Sequence, residues 1–498
     1  MTKKSLSDLR KVFGIGHDWR SLQLDEDGQL ALALRDETRR LRRRLLKRTG
    51  GKHPDPKVRA AARRYALKKS RKLRKKLVLT GKDLPPVAAM TRRFVPSPLL
   101  DAIDPARPEK WKPLIARSYR SDFQRLKLGP LNFLDDPIGT IRQFQSLAKI
   151  ERSEVNAFID FLDDRCVDVG AYLVLAEIWP QMSPVFRGGR MTQSVQKVLS
   201  AMELDRDLGI GLSAVTDHKN VSAFPIARRR PRQTSTDPNR QLKPADREKM
   251  ADSLVELVDD WLFIASIEKK TKVPLELSDE GKGLIKNMVG ELLCNAERHS
   301  IAKSEDGDWS MSAFMAARDD ESGARKLHCY LGFLNVGQSM AQSMAKAPKR
   351  MLDKTRSYLE EHKNSKRLSE GTLMTILALQ DTITSKKDAV EEERGGTGLQ
   401  DVLEFASDLG ASHLPNSDVR VTIVSGNSCI RLKNPILAGH RDDHNRRLQW
   451  CNRENRPNIP PDPMVAFELP AHFAGTLVSL GFTLDPQMLI PKENNDDQ

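Results

Sequence analysis

The feature that most constrains the fold is a change of pattern within residues 245–485. Two segments of helical periodicity, ADREKMADSLVELVDDWLFIASIE and LSDEGKGLIKNMVGELLCNAERHS, precede strand-like runs such as WSMSAFMAAR, KLHCYLGFLNV and VRVTIVSGNSCIRL. Helices followed by a block of mostly antiparallel strands predict an α+β sandwich, in which a sheet carries helices on one face. Ser278 is the expected N-cap of the second helix, which should run to about His299.

The remainder of the chain divides by composition, since 498 residues are too many for one ordinary core. Residues 141–215 are expected to form a small α/β domain, with VNAFIDFL as a strand and with VGAYLVLAEIWPQM and QSVQKVLSAMEL as helices. The predicted organisation is a basic helical arm (1–80), a Pro-rich connection (81–140), the small α/β domain (141–215), a basic Pro-rich linker (216–245), the helix-and-strand domain (246–485) and a polar tail (486–498).

Positive charge is concentrated at one end of the chain. Residues 1–80 hold 25 Lys+Arg against 8 Asp+Glu, a net charge of +17, whereas the remaining residues have a net charge of −2. Two interpretations remain open: the arm binds nucleic-acid phosphates with counterion release, or it is a solvated tail or a dock for an acidic partner. The candidate nucleic-acid contacts are Arg42, Arg43, Arg44, Lys47, Arg48, Arg63, Arg64, Lys68, Lys69, Arg71, Lys72, Arg74, Lys75 and Lys76.

Cysteine usage and hydropathy indicate a cytoplasmic setting. None of the five cysteines lies in a CxxC motif or a Cys/His cluster, which argues against a zinc site and a disulfide framework. The sequence contains no run of about 18 uncharged apolar residues, and its first residues lack the apolar core of a signal peptide. We therefore expect no membrane partner.

The second helix carries polar residues suited to phosphate chemistry. Glu291, Asn295 and His299 are spaced i, i+4 and i+8, so they share one stripe of the helix. Asn295 could coordinate Mg²⁺ beside phosphate oxygens, and Glu291 could orient and deprotonate an attacking water. The alternative is that this stripe is simply the polar face of a surface helix.

Three further segments carry glycine beside polar residues. Gly395, Gly396, Thr397, Gly398 and Leu399 form a glycine-rich turn that enters a helix, where the backbone can approach a phosphate and the helix N-terminus can face the anion. The segment from Asn335 through Gly337 to Ser339 follows a predicted strand, and Gly475–Thr476 enters the final strand.

Together and in this order, these segments resemble the histidine-kinase-like (GHKL) ATPases, the group that includes gyrase and the sensor kinases. ELLCNAERHS resembles their N-box, LNVGQSM stands at the first glycine box, RGGTGLQDVLEF resembles the second, and AGTLVSL resembles the terminal Gly-Thr strand. The resemblance covers about residues 245–485 and extends to stand-alone bacterial ATP-binding proteins. It implies a Bergerat-type ATPase domain with a mixed sheet.

The resemblance also implies roles for individual residues. Asn295 would bind the Mg²⁺ that bridges the phosphates, and Glu291 would be the general base. Thr476 would help to hold adenine. In the glycine-rich turn, Gly395, Gly396, Thr397 and Gly398 would wrap the phosphates, and Leu399 would follow them. Residues 339–394 would form an ATP lid.

The first glycine box departs from the pattern of the family. Asn335 would contact the adenine amino group in place of the family's Asp, and Gly337 would let the base pack closely. Ser339 replaces the third glycine of this box.

The segment FIDFLDDRCVDVGAYLVLAEIW resembles a STAS-like strand–turn–helix unit, of the kind that accompanies kinase-type members of the group. Switching antagonists of that kind carry a phosphorylatable Ser just before the helix. Here Val169 precedes Gly170, and no hydroxyl is present at residues 168–170. We therefore expect a structural unit rather than a phosphoacceptor.

The leading hypothesis is a Mg²⁺-dependent ATPase that acts as a nucleotide-driven switch, with ATP-dependent homodimerisation or partner binding, in a bacterial DNA-associated or defence system. The alternatives are an anti-sigma-type protein serine kinase, which would share the same motifs, and an ATP-gated binding module with negligible turnover.

Overall fold

The computed structural model divides the chain into two compact units. One comprises Met1–Pro96, Arg107–Asp122 and Arg152–Asn156, and the larger comprises Ser97–Ala106, Phe123–Glu151 and Ala157–Gln498. The residues that the structure describes are 56–57, 60–61, 64, 92–93, 97–107, 112–113, 124–153, 157–183, 185–186, 188–204, 221–229, 246–268, 274–299, 308–319, 323, 325–363, 367–380, 383, 398–410, 418–441, 443 and 447–491.

Within this part of the chain, helices and strands follow one another in mixed order. The helices are α1 (Pro98–Ile103), α2 (Pro137–Ser153), α3 (Val169–Met182), α4 (Gln193–Ala201), α5 (Arg247–Glu268), α6 (Asp279–His299), α7 (Met340–Met344), α8 (Lys349–His362), α9 (Glu370–Leu377) and α10 (Gly398–Leu409), with 3₁₀ turns at Ile436–Ala438 and Pro486–Met488. The strands are β1 (Arg92–Arg93), β2 (Lys112–Pro113), β3 (Gln124–Leu128), β4 (Ala157–Phe161), β5 (Val221–Arg229), β6 (Leu275–Leu277), β7 (Trp309–Asp319), β8 (Arg325–Asn335), β9 (Arg420–Lys433), β10 (His440–Arg441), β11 (Arg447–Leu448), β12 (Ala466–Thr483) and β13 (Leu489–Pro491).

A five-stranded sheet organises the larger unit. Its strand order is β5–β7–β8–β12–β9, and all four pairings are antiparallel. The α+β class is therefore confirmed, whereas the expectation of a mixed sheet is wrong for this sheet. The reason is connectivity: β7 and β8 are successive strands joined by a short connection, which favours antiparallel pairing.

Helices α5, α6 and α10 cover one face of the sheet. Met288, Val289, Leu292 and Leu293 form an apolar stripe on α6, and they belong to the same buried cluster as Phe333 of β8 and residues of α5, α10 and β12. This stripe faces the sheet and leaves the polar residues of α6 on its other sides.

Helix α3 covers the opposite face, so the prediction of helices on one face only is wrong. Gly332 alternates with the core residues of β8, and a Cβ added to it would lie 2.8 Å from the backbone nitrogen of Gly170 on α3. A Cβ on Gly170 would in turn lie 1.9 Å from Ser479 Oγ of β12. These small residues allow the helix to approach closely. Helix α3 is accordingly buried on nearly all sides.

The segment upstream of the sheet contains a parallel strand pair, β3 with β4, connected through α2. The predicted strand in VNAFIDFL and the two predicted helices, α3 and α4, are confirmed. The segment is packed on the large sheet: Phe133 meets the ring of Phe473 edge-on, and Asp135 accepts hydrogen bonds from Arg420 at 2.9 Å. Apart from Arg152 and Ser153, the described part of the predicted domain 141–215 thus shares one compact unit with the sheet.

Two short observations bear on the setting of the chain. All five cysteines are free and buried. None of the helices within the described residues combines the length and the apolarity that crossing a bilayer requires.

Candidate functional site

Helix α6 carries the first group of candidate residues. The backbone N–H of Gly281 donates to Ser278 Oγ at 3.1 Å, which confirms the predicted N-cap, and the helix ends at His299 as expected. Glu291 and Asn295 are both half-buried on this helix. They lie beside the apolar stripe that faces the sheet.

The surroundings of Glu291 favour its protonated form. Burial raises the pKa of the Glu291 carboxyl, and the negative charge of Asp401 raises it further, whereas Arg298 and Arg247 oppose the shift. Asp401 lies in the first turn of α10, which packs against α6. A carboxylate with a raised pKa is a stronger base, which is the property that the predicted role of Glu291 requires.

Glu297 fixes the end of the same helix to its neighbours. Its carboxylate is buried and accepts a hydrogen bond from Trp309 Nε1 at 3.0 Å. It also forms ion pairs with Arg229 at 3.4 Å and with Arg247 at 3.3 Å. These contacts join α6 to β5, β7 and α5, so they hold the helix that presents Glu291 and Asn295.

Three adjacent strands bring the second group together in a row, Asn335–Thr476–Ser425. Thr476 of β12 is paired with Asn335 of β8 on one side and with Ser425 of β9 on the other. The backbone N–H of Thr476 donates to Asn335 Oδ1 at 2.7 Å, and the hydroxyls of Thr476 and Ser425 are 2.9 Å apart. Two motifs separated by 141 residues in sequence are thus joined by a direct hydrogen bond.

Glycines permit this close approach. Gly475 has φ +114°, and a Cβ there would lie 2.1 Å from the carbonyl oxygen of Asn335. The N–H of Gly337 faces the carbonyl of Ala474 at 3.4 Å. Both predicted glycines therefore lie at the C-terminal end of β8, where its pairing with β12 stops.

Ser339 has a structural partner of its own. It is the N-cap of α7: its hydroxyl accepts from the N–H of Gln342 at 3.2 Å, and Gln342 Oε1 accepts from the N–H of Ser339 at 3.0 Å. The next N–H, of Met340, donates to Ser425 Oγ at 2.8 Å. The bond from Met340 to Ser425 thus connects the start of the predicted lid to the strand row.

The described part of the predicted lid contains α7, α8 and α9; α7 and α9 pack on the sheet, and α8 packs on α9. Thr372 Oγ1 of α9 lies 2.9 Å from Ser428 Oγ of β9 and donates to Glu468 Oε1 of β12 at 2.5 Å. The same carboxylate oxygen accepts from the N–H of Ser369 at 2.8 Å. We call this group, Ser369, Thr372, Ser428 and Glu468, the polar clasp of α9.

Several predicted site residues fall outside the described residues. Gly395, Gly396 and Thr397 are among them. Gly398 begins α10 as predicted, and the half-buried side chain of Leu399 packs against the core. In the basic arm, Arg64 is described, and it is helical and exposed. The other candidate nucleic-acid contacts lie outside the described residues.

Sequence reasoning missed Asp401, Ser425 and Glu297, because their contacts are made between elements and follow no local spacing. Among the described residues, no cluster of three or more His, Cys, Asp or Glu side chains is placed to hold a metal ion. Comparisons with protein-family models, curated proteins and solved structures found no match to this chain.

Proposed function

We propose that residues 246–485 form a Bergerat-type domain that binds ATP with Mg²⁺ and hydrolyses it. The observation that carries this proposal is the hydrogen bond from Thr476 to Asn335 Oδ1, because it joins two of the four nucleotide motifs on neighbouring strands. Helix α6, with the N-box residues, packs on both β8 and α10 and so supports the same arrangement.

The row Asn335–Thr476–Ser425 would bind the base. Asn335 Oδ1 already accepts from Thr476, but a carbonyl oxygen has a second lone pair, and the amide NH₂ can donate to a ring nitrogen. An Asn can therefore present both an acceptor and a donor to adenine. The glycine-rich turn before α10 would hold the phosphates near the amino end of that helix.

Asn295 fits a Mg²⁺ ion that is shared with phosphates. Its amide oxygen is a hard ligand on a half-buried helix position, and Mg²⁺ at nucleotide sites commonly takes one or two protein oxygens besides phosphates and waters. The ion would neutralise phosphate charge. Glu291 would accept the proton of the attacking water, and its raised pKa suits that task.

Turnover by purified full-length protein tests the proposal. Wild type is expected to release phosphate from ATP in a Mg²⁺-dependent manner, and Glu291→Ala should lower kcat by roughly 10²- to 10⁴-fold. Glu280→Gln is the matched control, because Glu280 is an exposed glutamate at the start of the same helix. Unchanged turnover in Glu291→Ala would contradict the assigned role.

The destination of the γ-phosphate distinguishes hydrolysis from protein phosphorylation. With γ-labelled ATP, our proposal expects the label in free phosphate. Label on a partner protein would indicate the anti-sigma-type kinase activity, and tight ATP binding without either product would indicate a binding module. The proposed switch further expects ATP to change the homodimer fraction or the binding of a partner, which light scattering can follow.

A further inference from the structure

His472 and Asn427 lie near the strand row and have no part in the proposed function. His472 of β12 places Nδ1 2.8 Å from Asn427 Oδ1 of β9. Between Asn427 and the row lies Gly426, with φ +63°, and a Cβ there would be 3.4 Å from His472 Cε1 and 3.3 Å from Ser339 Cβ. The imidazole and Ser339 therefore both lie against Gly426, which follows Ser425 of the row.

The bond to Asn427 determines what the imidazole can offer. An amide oxygen only accepts, so Nδ1 carries the ring proton and Nε2 keeps a lone pair. Burial lowers the pKa of His472, so the neutral ring prevails at pH 7. A neutral imidazole with a lone pair on Nε2 binds a hydroxyl donor, whereas a fully ionised phosphate oxygen has no proton to give.

We propose that His472, oriented by Asn427, accepts a hydrogen bond from a ribose hydroxyl, so that the site selects ribonucleoside over deoxyribonucleoside triphosphates. The inference rests on the proposed function. If the row of Asn335, Thr476 and Ser425 holds the base, the sugar attached to that base lies at the edge of the row. His472 is half-buried at this edge, against Gly426.

Calorimetric titration of the full chain with Mg²⁺ and ATP, 2′-deoxy-ATP or 3′-deoxy-ATP tests the inference. Wild type should bind ATP roughly 3- to 10-fold more tightly than at least one analogue, because one neutral hydrogen bond contributes about this much to affinity. His472→Phe should remove this difference, because it weakens the binding of ATP and leaves the binding of that analogue unchanged. His472→Gln keeps a hydrogen-bond acceptor at a similar distance from the backbone and should retain part of the difference in affinity.

His328→Phe is the matched control. His328 is also half-buried on this sheet, but its Nδ1 lies 3.1 Å from the Thr483 hydroxyl, at the opposite end of the paired strands β8 and β12. Its substitution should leave the ratio of affinities unchanged, and thermal unfolding will show that each variant is folded.

The possible outcomes separate the two proposals. Equal affinity of wild type for ATP and both analogues, or full discrimination in His472→Phe, would overturn the role of His472 and leave ATP binding intact. Failure of wild type to bind ATP at all would overturn the proposed function and this inference with it.

Discussion

At the scale of single residues, Gly475 is a position where both the backbone angle and the space around it exclude a side chain. Its φ of +114° is rarely adopted by L side chains, and a Cβ would collide with the carbonyl oxygen of Asn335 at 2.1 Å. We predict that Gly475→Ala lowers the free energy of unfolding by about 2–4 kcal/mol. Denaturant unfolding followed by circular dichroism would measure it.

Gly283→Ala serves as the control. Gly283 lies within α6, and nothing lies within 4 Å of the position of its Cβ. Alanine should therefore raise stability there by roughly 0.5–1 kcal/mol. Equal effects of the two substitutions would contradict the steric argument for Gly475.

Asp168 gives the fold a pH dependence. It is the N-cap of α3, it is fully buried, and the N–H groups of Phe133 and Gly170 donate to its carboxylate. Burial raises its pKa to about 6, although the backbone hydrogen bonds oppose the shift. In an unfolded chain the pKa would be about 3.9. The folded state therefore holds the proton more tightly than the unfolded state does.

The resulting stabilisation is complete below about pH 4 and is lost as pH rises through about 6. Relative to Asp168→Asn, which keeps an acceptor but does not ionise, wild type should lose about 2 kcal/mol between pH 4 and pH 7. Urea unfolding of both proteins across this range measures the difference. A difference that stays constant with pH would contradict the prediction.

At the scale of elements, helix α9 is attached to the sheet through polar groups at its start. The Thr372 hydroxyl has two partners in the polar clasp, Ser428 and Glu468, and Thr372 is fully buried. Thr372→Val removes the hydroxyl and leaves the half-buried carboxylate of Glu468 with one donor fewer. We predict a loss of about 1–3 kcal/mol in the free energy of unfolding. Chemical denaturation would quantify it.

Thr355→Val on α8 is the comparison for that experiment. Thr355 is equally buried, but its hydroxyl donates only to the Leu352 carbonyl of its own helix, at 2.8 Å. Its substitution should cost less than about 1 kcal/mol. If Thr355→Val were as damaging as Thr372→Val, the clasp would have no special part in holding α9.

Local signals predicted individual elements well. The Ser278 cap and the apolar stripe define α6, and the turn glycine that precedes Leu399 begins α10. The coverage of both sheet faces was not predictable in this way, because Gly170, Gly332 and Ser479 become meaningful only when the fold brings them together. Similarly, Asn335 and Thr476 were identified from the sequence motifs, but no local pattern indicated that Ser425 would lie beside them.

At the scale of the whole molecule, the excess positive charge lies in a different part of the chain from the nucleotide motifs. The basic arm has a net charge of +17 and the rest of the chain −2. The polar groups of the row Asn335–Thr476–Ser425 are an amide and two hydroxyls, which contribute no net charge. Nucleic-acid binding, where it occurs, should therefore be a property of the arm and independent of the nucleotide site.

We predict that the full chain binds nucleic acid through residues 1–80 in a strongly salt-dependent manner. If six or more basic side chains of the arm contact phosphates, affinity should fall at least about 10³-fold between 50 and 200 mM salt. Deleting residues 1–80 should abolish binding. Replacing Lys68, Lys69, Arg71, Lys72 and Arg74 by Gln should weaken it and reduce the salt slope. Fluorescence anisotropy with labelled DNA and RNA duplexes measures all three proteins. Affinity that survives the deletion, or that does not change with salt, would place nucleic-acid binding elsewhere or exclude it.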